Sequence, residues 1–239
     1  MPTLEVVKAI AKEPLEFHPG EDYRYGLNHD VLGALIEVWS GMSFGEYMKK
    51  NIFDPCGMKQ TGYQVTQEIK AKIPPEYHGG KEGPETYWKQ ESYCRYMLGE
   101  DSEYESGGAG IISCVEDYIE LADALANGGI SPKTGAYILN ARTIDMMRIN
   151  QLTEEQLVKE YSKAENGYGY GLGVRTLMTN ARGTLSNLGE FGWDGAAGSY
   201  FMVDPNEQLA VFMAKNLHSC YNNGDPIMIT NALYTDLHK

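Results

Sequence analysis

The chain has 239 residues, 42% of them hydrophobic and 22% charged, with 33 acidic against 20 basic residues and a formal net charge of −13. That balance excludes disorder and fibrous repeats, and it argues against nucleic acid or an anionic membrane surface as a partner, because both would repel an acidic chain. The length supports a sizeable core without disulfide staples.

No apolar run reaches the roughly eighteen residues a membrane span needs. Residues 1–14 lack the apolar core and cleavage site of a signal peptide. A cytoplasmic location is favoured for the chain as it stands, and an exported one if preceding sequence carries such a peptide. Cys56, Cys94, Cys114 and Cys220 show neither a CxxC pair nor a zinc pattern, so buried free thiols are expected. The five histidines are scattered, so neither a metal site nor a cofactor is expected.

In chain order, residues 1–12 carry apolar positions at helical spacing, and Pro14 stops them. Val31, Leu32, Leu35, Ile36 and Trp39 predict a strong helix, with Asn28 or Asp30 as N-cap and Gly41 as its end. Ser43 and Glu46 form the signature of a capping box that opens a second helix ending near Pro55. Residues 61–110 are rich in Gly, Pro and Tyr. They predict a long irregular loop with a short β-ribbon, of the kind that is usually functional. Ser113, with Glu116 three residues on, predicts the next helix, to Gly128 and Gly129; further helices are expected at 143–149 and 153–159. After Gly167 the character changes. The alternating glycines of 168–174, the β-rich runs 199–203 and 209–214 and the turn at Asp204, Pro205, Asn206 and Glu207 predict strands and a hairpin. Ile229, Leu233 and Leu237 share one face of a closing helix. The expected fold class is α+β: a mainly helical region over 1–165, then an antiparallel sheet with a C-terminal helix over 166–239.

Three ordered segments carry a resemblance. The first runs from Pro19 and Gly20 through Tyr25, Asn28, Leu32, Gly33, Glu37 and Gly41 to Pro55, Gly57, Met58 and Thr61. The second is 107–113 with Asp117 and Tyr118. The third is Gly192, Trp193, Asp194, Gly195, then Gly198, Tyr200, Phe201, Asp204 and Pro205. Together they resemble the later part of the serine β-lactamase/penicillin-binding-protein superfamily, on the side of class C β-lactamases and family-VIII-type esterases. The resemblance implies a β-lactamase/transpeptidase-like fold and a serine hydrolase of esters, amides or β-lactams.

In that superfamily the nucleophilic serine has a lysine three residues later, one helical turn away, to take its proton. None of the serines in this chain has Lys at that position. The chain is therefore expected to be the C-terminal two-thirds of a member, without the first strands and the nucleophile helix. The resemblance makes Tyr25 the proton-transfer phenol; the residue-level alternative is a buried aromatic. It places Leu27 where the β-lactamases carry a substrate-binding Asn, which moves the chain toward the esterases. In the resemblance Trp193, Asp194 and Gly195 stand for the Lys/His/Trp–x–Gly triplet that walls the substrate site, and a backbone amide near Ala197 for an oxyanion donor; the residue-level alternative is an ordinary strand with a surface Asp and a packed Trp. Asp194 is expected to repel a carboxylate-bearing substrate. The literal triplet Lys133, Thr134, Gly135 lies between helices, away from any sheet, and is read as a solvated loop.

Loss of the first strands would leave 209–214 as an open sheet edge, so a homo-oligomer through that edge is expected. The expected ligand is a small acyl compound or a peptide-like molecule. The alternative function is a non-catalytic binding protein that uses the same fold as a scaffold.

Overall fold

A computed structural model describes residues 1–64, 66–80, 83–86, 102–181, 183–218 and 225–237. Helices fill the first part: α1 Thr3–Ile10, α2 Asn28–Ser40, α3 Phe44–Met48, a π turn Lys49–Phe53 leading into α4 Asp54–Cys56, and α5 Gln67–Lys72. A ribbon of β1 Tyr77–Gly80 and β2 Gly83–Thr86 follows, then α6 Val115–Ala126, α7 Ala141–Met147, α8 Glu154–Glu160 and a 3-10 turn Ser162–Asn166. The strands β3 Tyr168–Tyr170, β4 Arg175–Leu177, β5 Phe191–Asp194, β6 Tyr200–Asp204 and β7 Leu209–Met213 form a five-stranded antiparallel sheet in the order of the chain. The two-residue β8 Leu217–His218 pairs parallel with β1, and α9 Asp225–Leu237 closes the chain. This is an α+β fold.

Strand alternation divides the sheet's side chains between two faces. Phe191 and Val203 face α6, where Ala122, Leu125 and Ala126 meet them together with Ile144 of α7. Tyr200 and Met202 face the other way, toward Tyr234 of α9, with Leu209, Val211 and Met213 beside them. A second cluster joins the helical part: Phe44, Phe53, Cys56, Met58 and Tyr63 pack on Ala124 of α6. So α6 has both cores on it and ties the helices to the sheet.

The local signals succeed where the side chain has no competing partner. Ser43 with Glu46 and Thr153 with Gln156 make complete capping boxes. Two expected caps are replaced. Asp30 is buried and its carboxylate accepts the Tyr104 hydroxyl, so Leu27 takes the cap position of α2 without a side-chain bond. Ser113 is engaged with Thr61, Oγ to Oγ1 at 2.7 Å, while Thr61 donates to the buried Asp117 carboxylate at 2.9 Å. Cys114 caps α6 instead, again without a side-chain bond. Asp117 also accepts the Gln60 N–H at 2.6 Å, and so clips the 60–61 turn to α6.

The closing helix presents a different face from the simplest reading. Thr230 and Tyr234 are buried, whereas Ile229, Leu233 and Leu237 stay exposed. Tyr234 donates its hydroxyl to the buried Asp204 carboxylate, which also accepts the Asn187 amide at 2.9 Å, and that polar anchor decides which face turns inward. The ribbon expected in 61–110 is present as β1 and β2. Cys94, Cys220 and most of the tyrosines between 77 and 104 lie outside the described residues.

Cys56 sits inside the helical core with no exposed surface, and burial, aided by the Glu120 charge, pushes its thiol up to about 11 from 9.0. The folded chain therefore keeps a proton there that the unfolded chain releases. The contribution to stability is complete below about pH 9 and disappears as pH rises toward 11. Urea midpoints measured across that window should fall more steeply for the parent chain than for Cys56→Ala.

Candidate functional site

The candidate site forms where the end of β5 meets the segment before α2. Tyr25 stacks on Trp193, ring centroids 5.9 Å apart and planes 6° from parallel. Trp193 in turn meets Tyr170 edge-on at 5.6 Å, and Tyr170 packs with Tyr23 and Tyr161. Burial raises the phenols of Tyr23, Tyr161 and Tyr170 above their usual range, so these three are neutral packing partners. Tyr25 is the most exposed member of the cluster, at 62%.

Beneath this wall lies a buried charge. Arg175 on β4 is 2% exposed and lies between the rings of Tyr168 and Tyr200, 5.1 and 4.7 Å from their centroids. It donates to the Phe201 carbonyl at 3.0 Å and to Glu190 Oε1 at 3.3 Å, and its Nε stands 3.7 Å from Asp194 Oδ1. Tyr168 donates to the other Glu190 oxygen at 3.0 Å. Burial pushes Glu190 up, and the Arg175 guanidinium and the Tyr168 hydroxyl oppose that. Burial works against the Arg175 charge, but Glu190, Tyr200 and Asp194 outweigh it and keep the guanidinium protonated.

The strand pairing explains how an arginine fits there. Arg175 lies opposite Gly192, and Gly192 lies opposite Met202. A Cβ on Gly192 would stand 1.9 Å from the Phe201 carbonyl and 2.7 Å from Arg175 Nη1. The glycine is the gap through which the guanidinium crosses β5. Gly195 has a milder reason: a Cβ there would meet Ser199 Oγ at 2.1 Å, a side chain that can rotate.

A cavity of about 500 Å³ opens over this arrangement, with Tyr25, Trp193, Asp194, Gly195, Lys163 and Lys215 in its wall. Lys163, from the 3-10 turn, forms an ion pair with Asp194 and lies 5.2 Å above the Trp193 ring. Of the residues expected from sequence, Tyr25, Trp193, Asp194 and Gly195 come together here. Leu27 is half-exposed at the start of α2, and neither it nor Ala197 lines the cavity; the Ala197 carbonyl accepts the Leu217 N–H at 2.9 Å. Lys163, Arg175 and Lys215 were not legible as site residues, since nothing in their local sequence ties them to Trp193. The Lys133 triplet is in a turn and is not part of the cavity wall, with Lys133 paired to Glu120 at 2.9 Å. Among the described residues no three His, Cys, Asp or Glu groups are gathered to hold a metal ion.

The profile of the family described as Beta-lactamase matches residues 2–221. The chain belongs to the β-lactamase family. Esterase EstB of Burkholderia gladioli is 26% identical over 228 residues, 89% of this chain and 54% of that protein. A putative D-alanyl-D-alanine carboxypeptidase of Salmonella typhi is 27% identical over 231 residues, 90% of this chain and 49% of that one. The chain thus spans about half the length of these relatives. Among solved structures, EstCE1, a hydrolase with promiscuous acyltransferase activity, superposes with a TM-score of 0.81 at 23% identity, over 98% of this chain and 62% of that one. That likeness establishes the β-lactamase-like fold, and the family is one of serine hydrolases.

Gly192→Ala should lower stability by roughly 3 kcal/mol, since the clash is with backbone, whereas Gly195→Ala should cost under about 1 kcal/mol because Ser199 turns away. Urea unfolding of the two variants checks the order.

Proposed function

We propose that this chain forms one wall of a serine hydrolase that transfers or hydrolyses acyl groups from an ester, amide or β-lactam, and that the nucleophilic serine and its lysine come from polypeptide outside these residues. The observation that carries the reading is the meeting of Tyr25 with Trp193, Asp194 and Gly195 on one cavity, as the resemblance requires of those motifs. The absence of any Ser-x-x-Lys in the sequence supports the second half.

The roles follow from chemistry. Acyl transfer begins when a hydroxyl loses its proton and attacks the carbonyl carbon. A tetrahedral oxyanion forms, then collapses as the leaving group takes up a proton. On this reading Tyr25, exposed at the cavity, passes that proton between nucleophile and leaving group. The Gly195 and Gly198 N–H groups are bonded within the turn, to the Ser199 and Gly195 carbonyls; on this reading the oxyanion donor is an amide between them, near Ala197, and the nucleophile's own amide completes the pair. The Trp193 ring supplies the apolar face for the acyl or leaving group.

A fluorophosphonate probe should leave the purified chain unlabelled and its p-nitrophenyl acetate turnover at background. Labelling should appear when a Ser-x-x-Lys segment encoded upstream is present. A covalent serine adduct on the chain alone would overturn the proposal. A ligand that binds near Trp193, with no upstream serine motif, would instead favour the non-catalytic scaffold.

Self-association is part of the same proposal. Among the described residues β7 pairs on one side only, with β6, and the apolar stripe Ile229, Leu233 and Leu237 of α9 is exposed. An open edge beside an apolar stripe is a template for a second copy. Light scattering after size exclusion should give a dimer or larger species at micromolar concentration. A monodisperse monomer would count against it.

A further inference from the structure

We propose that the hollow between the 74–77 segment and the end of β7 is an acyl-chain site, one that takes an aliphatic acyl group of several carbons. The inference rests on reading the neighbouring cavity as the place of acyl transfer.

The hollow has a volume of about 460 Å³, and its lining includes Pro74, Pro75, Tyr77, Ala214 and Leu217. That volume lies within the roughly 300–1,000 Å³ of small-molecule sites. Several polar groups of the lining are spent on its own framework. The Tyr77 N–H donates to the Asn216 carbonyl at 2.7 Å, the Asn216 side-chain amide donates to the Pro74 carbonyl at 3.2 Å, and the Leu217 N–H donates to the Ala197 carbonyl at 2.9 Å. Pro74 and Pro75 have no N–H to offer. The pairing of β1 with β8 sets Tyr77 beside Leu217, so two walls of the hollow are held by backbone before a ligand arrives. The surface presented is mainly hydrocarbon. A polar chain laid there would give up water without gaining partners, whereas methylenes gain by burial.

Position ties the hollow to the candidate site. Lys215 lines both, and Met213 of the cavity wall adjoins Ala214 of the hollow. The bond from Leu217 to Ala197 joins one wall of the hollow to the 195–198 turn, where the proposed oxyanion donor lies. A carbonyl carbon held at that turn carries two substituents, which leave it in different directions. The leaving group has to reach Tyr25 for its proton, so it takes the Trp193 side. The acyl chain is the substituent directed away from Tyr25, and the hollow continues the cavity there from Met213 and Lys215.

The test uses anilides, whose phenyl ring stands for the leaving group and whose acyl chain is lengthened from acetanilide to hexananilide. Binding to the purified chain is read from two NMR signals: the indole N–H of Trp193, assigned with Trp193→Phe, and the methyl groups of Leu217, assigned with Leu217→Ile. Affinity should rise roughly threefold for each added methylene, and the Leu217 signals should move only for the longer chains. Ala214 is exposed, so Ala214→Trp fills the hollow from the solvent side. That variant should bring hexananilide back to the affinity of acetanilide, with the methyl signals of the buried Val203 unchanged as the mark of a folded sheet. Affinity independent of chain length in the parent chain, a length dependence that survives Ala214→Trp, or Leu217 signals that stay still while Trp193 moves would overturn the inference and leave the hydrolase reading untouched. If no anilide moves the Trp193 signal, the cavity does not take acyl compounds, and the inference falls with that reading.

Discussion

One buried guanidinium organises the site. Arg175 is out of water, and an uncompensated charge there would cost several kcal/mol. Every neighbour offsets part of that cost: the Glu190 carboxylate, the Phe201 carbonyl, the Asp194 carboxylate and the faces of Tyr168 and Tyr200. These groups come from β3, β5 and β6 and from the residue just before β5, and they surround an arginine on β4. Satisfying the arginine therefore fixes four strands relative to one another at the end of the sheet where Trp193 stands. A network of this kind is worth little for net stability compared with an apolar core of the same shape. What it supplies is a single arrangement, because any slip of β5 by one residue would put Trp193 where Gly192 must be.

The aromatic wall depends on that register. Trp193 and Asp194 are consecutive and so point to opposite faces of β5. Asp194 goes toward Arg175, and Trp193 goes toward Tyr25 and Tyr170. Lys163 then bridges the two, paired with one and lying over the ring of the other. Charge and aromatic surface are thereby joined at one cavity by a single short turn. The Trp–x–Gly pattern in the sequence is the trace of this division, with Gly192 before it as the gap that Arg175 needs.

Sequence legibility followed locality. Ser43 with Glu46 was readable because a capping box is closed within four residues; Thr153 with Gln156 closes a second such box, of which only the helix at 153–159 was expected. Ser113 was misleading because its hydroxyl is drawn to Thr61, and Asp30 because its carboxylate is drawn to Tyr104; both partners are distant in the chain. The period of α9 showed that Ile229, Leu233 and Leu237 share a face but carried no information on which face turns inward; that was settled by the bond from Tyr234 to Asp204. Tyr25, Trp193, Asp194 and Gly195 were legible through motif resemblance, whereas Arg175 and Lys163 were not. β4 has only three residues, and an arginine in so short a strand reads as an exposed one until Gly192 is seen opposite it.

The same contrast separates what this chain organises by itself from what it leaves open. The charge network, the stacked rings and the cavity wall are built from described residues of this chain, with Asp194 Oδ1 and the Tyr161 hydroxyl buried and without a hydrogen-bond partner among them. The outer edge of β7 and the apolar stripe of α9 are a different case: backbone donors and acceptors on the one, and side chains of 38–50% exposure on the other, have no partner among the described residues that matches their chemistry. Preorganisation of the wall is what lets the two be distinguished. On the proposed reading, a wall preorganised in this way presents the same surface with or without the nucleophile, so recognition and bond cleavage would be separable.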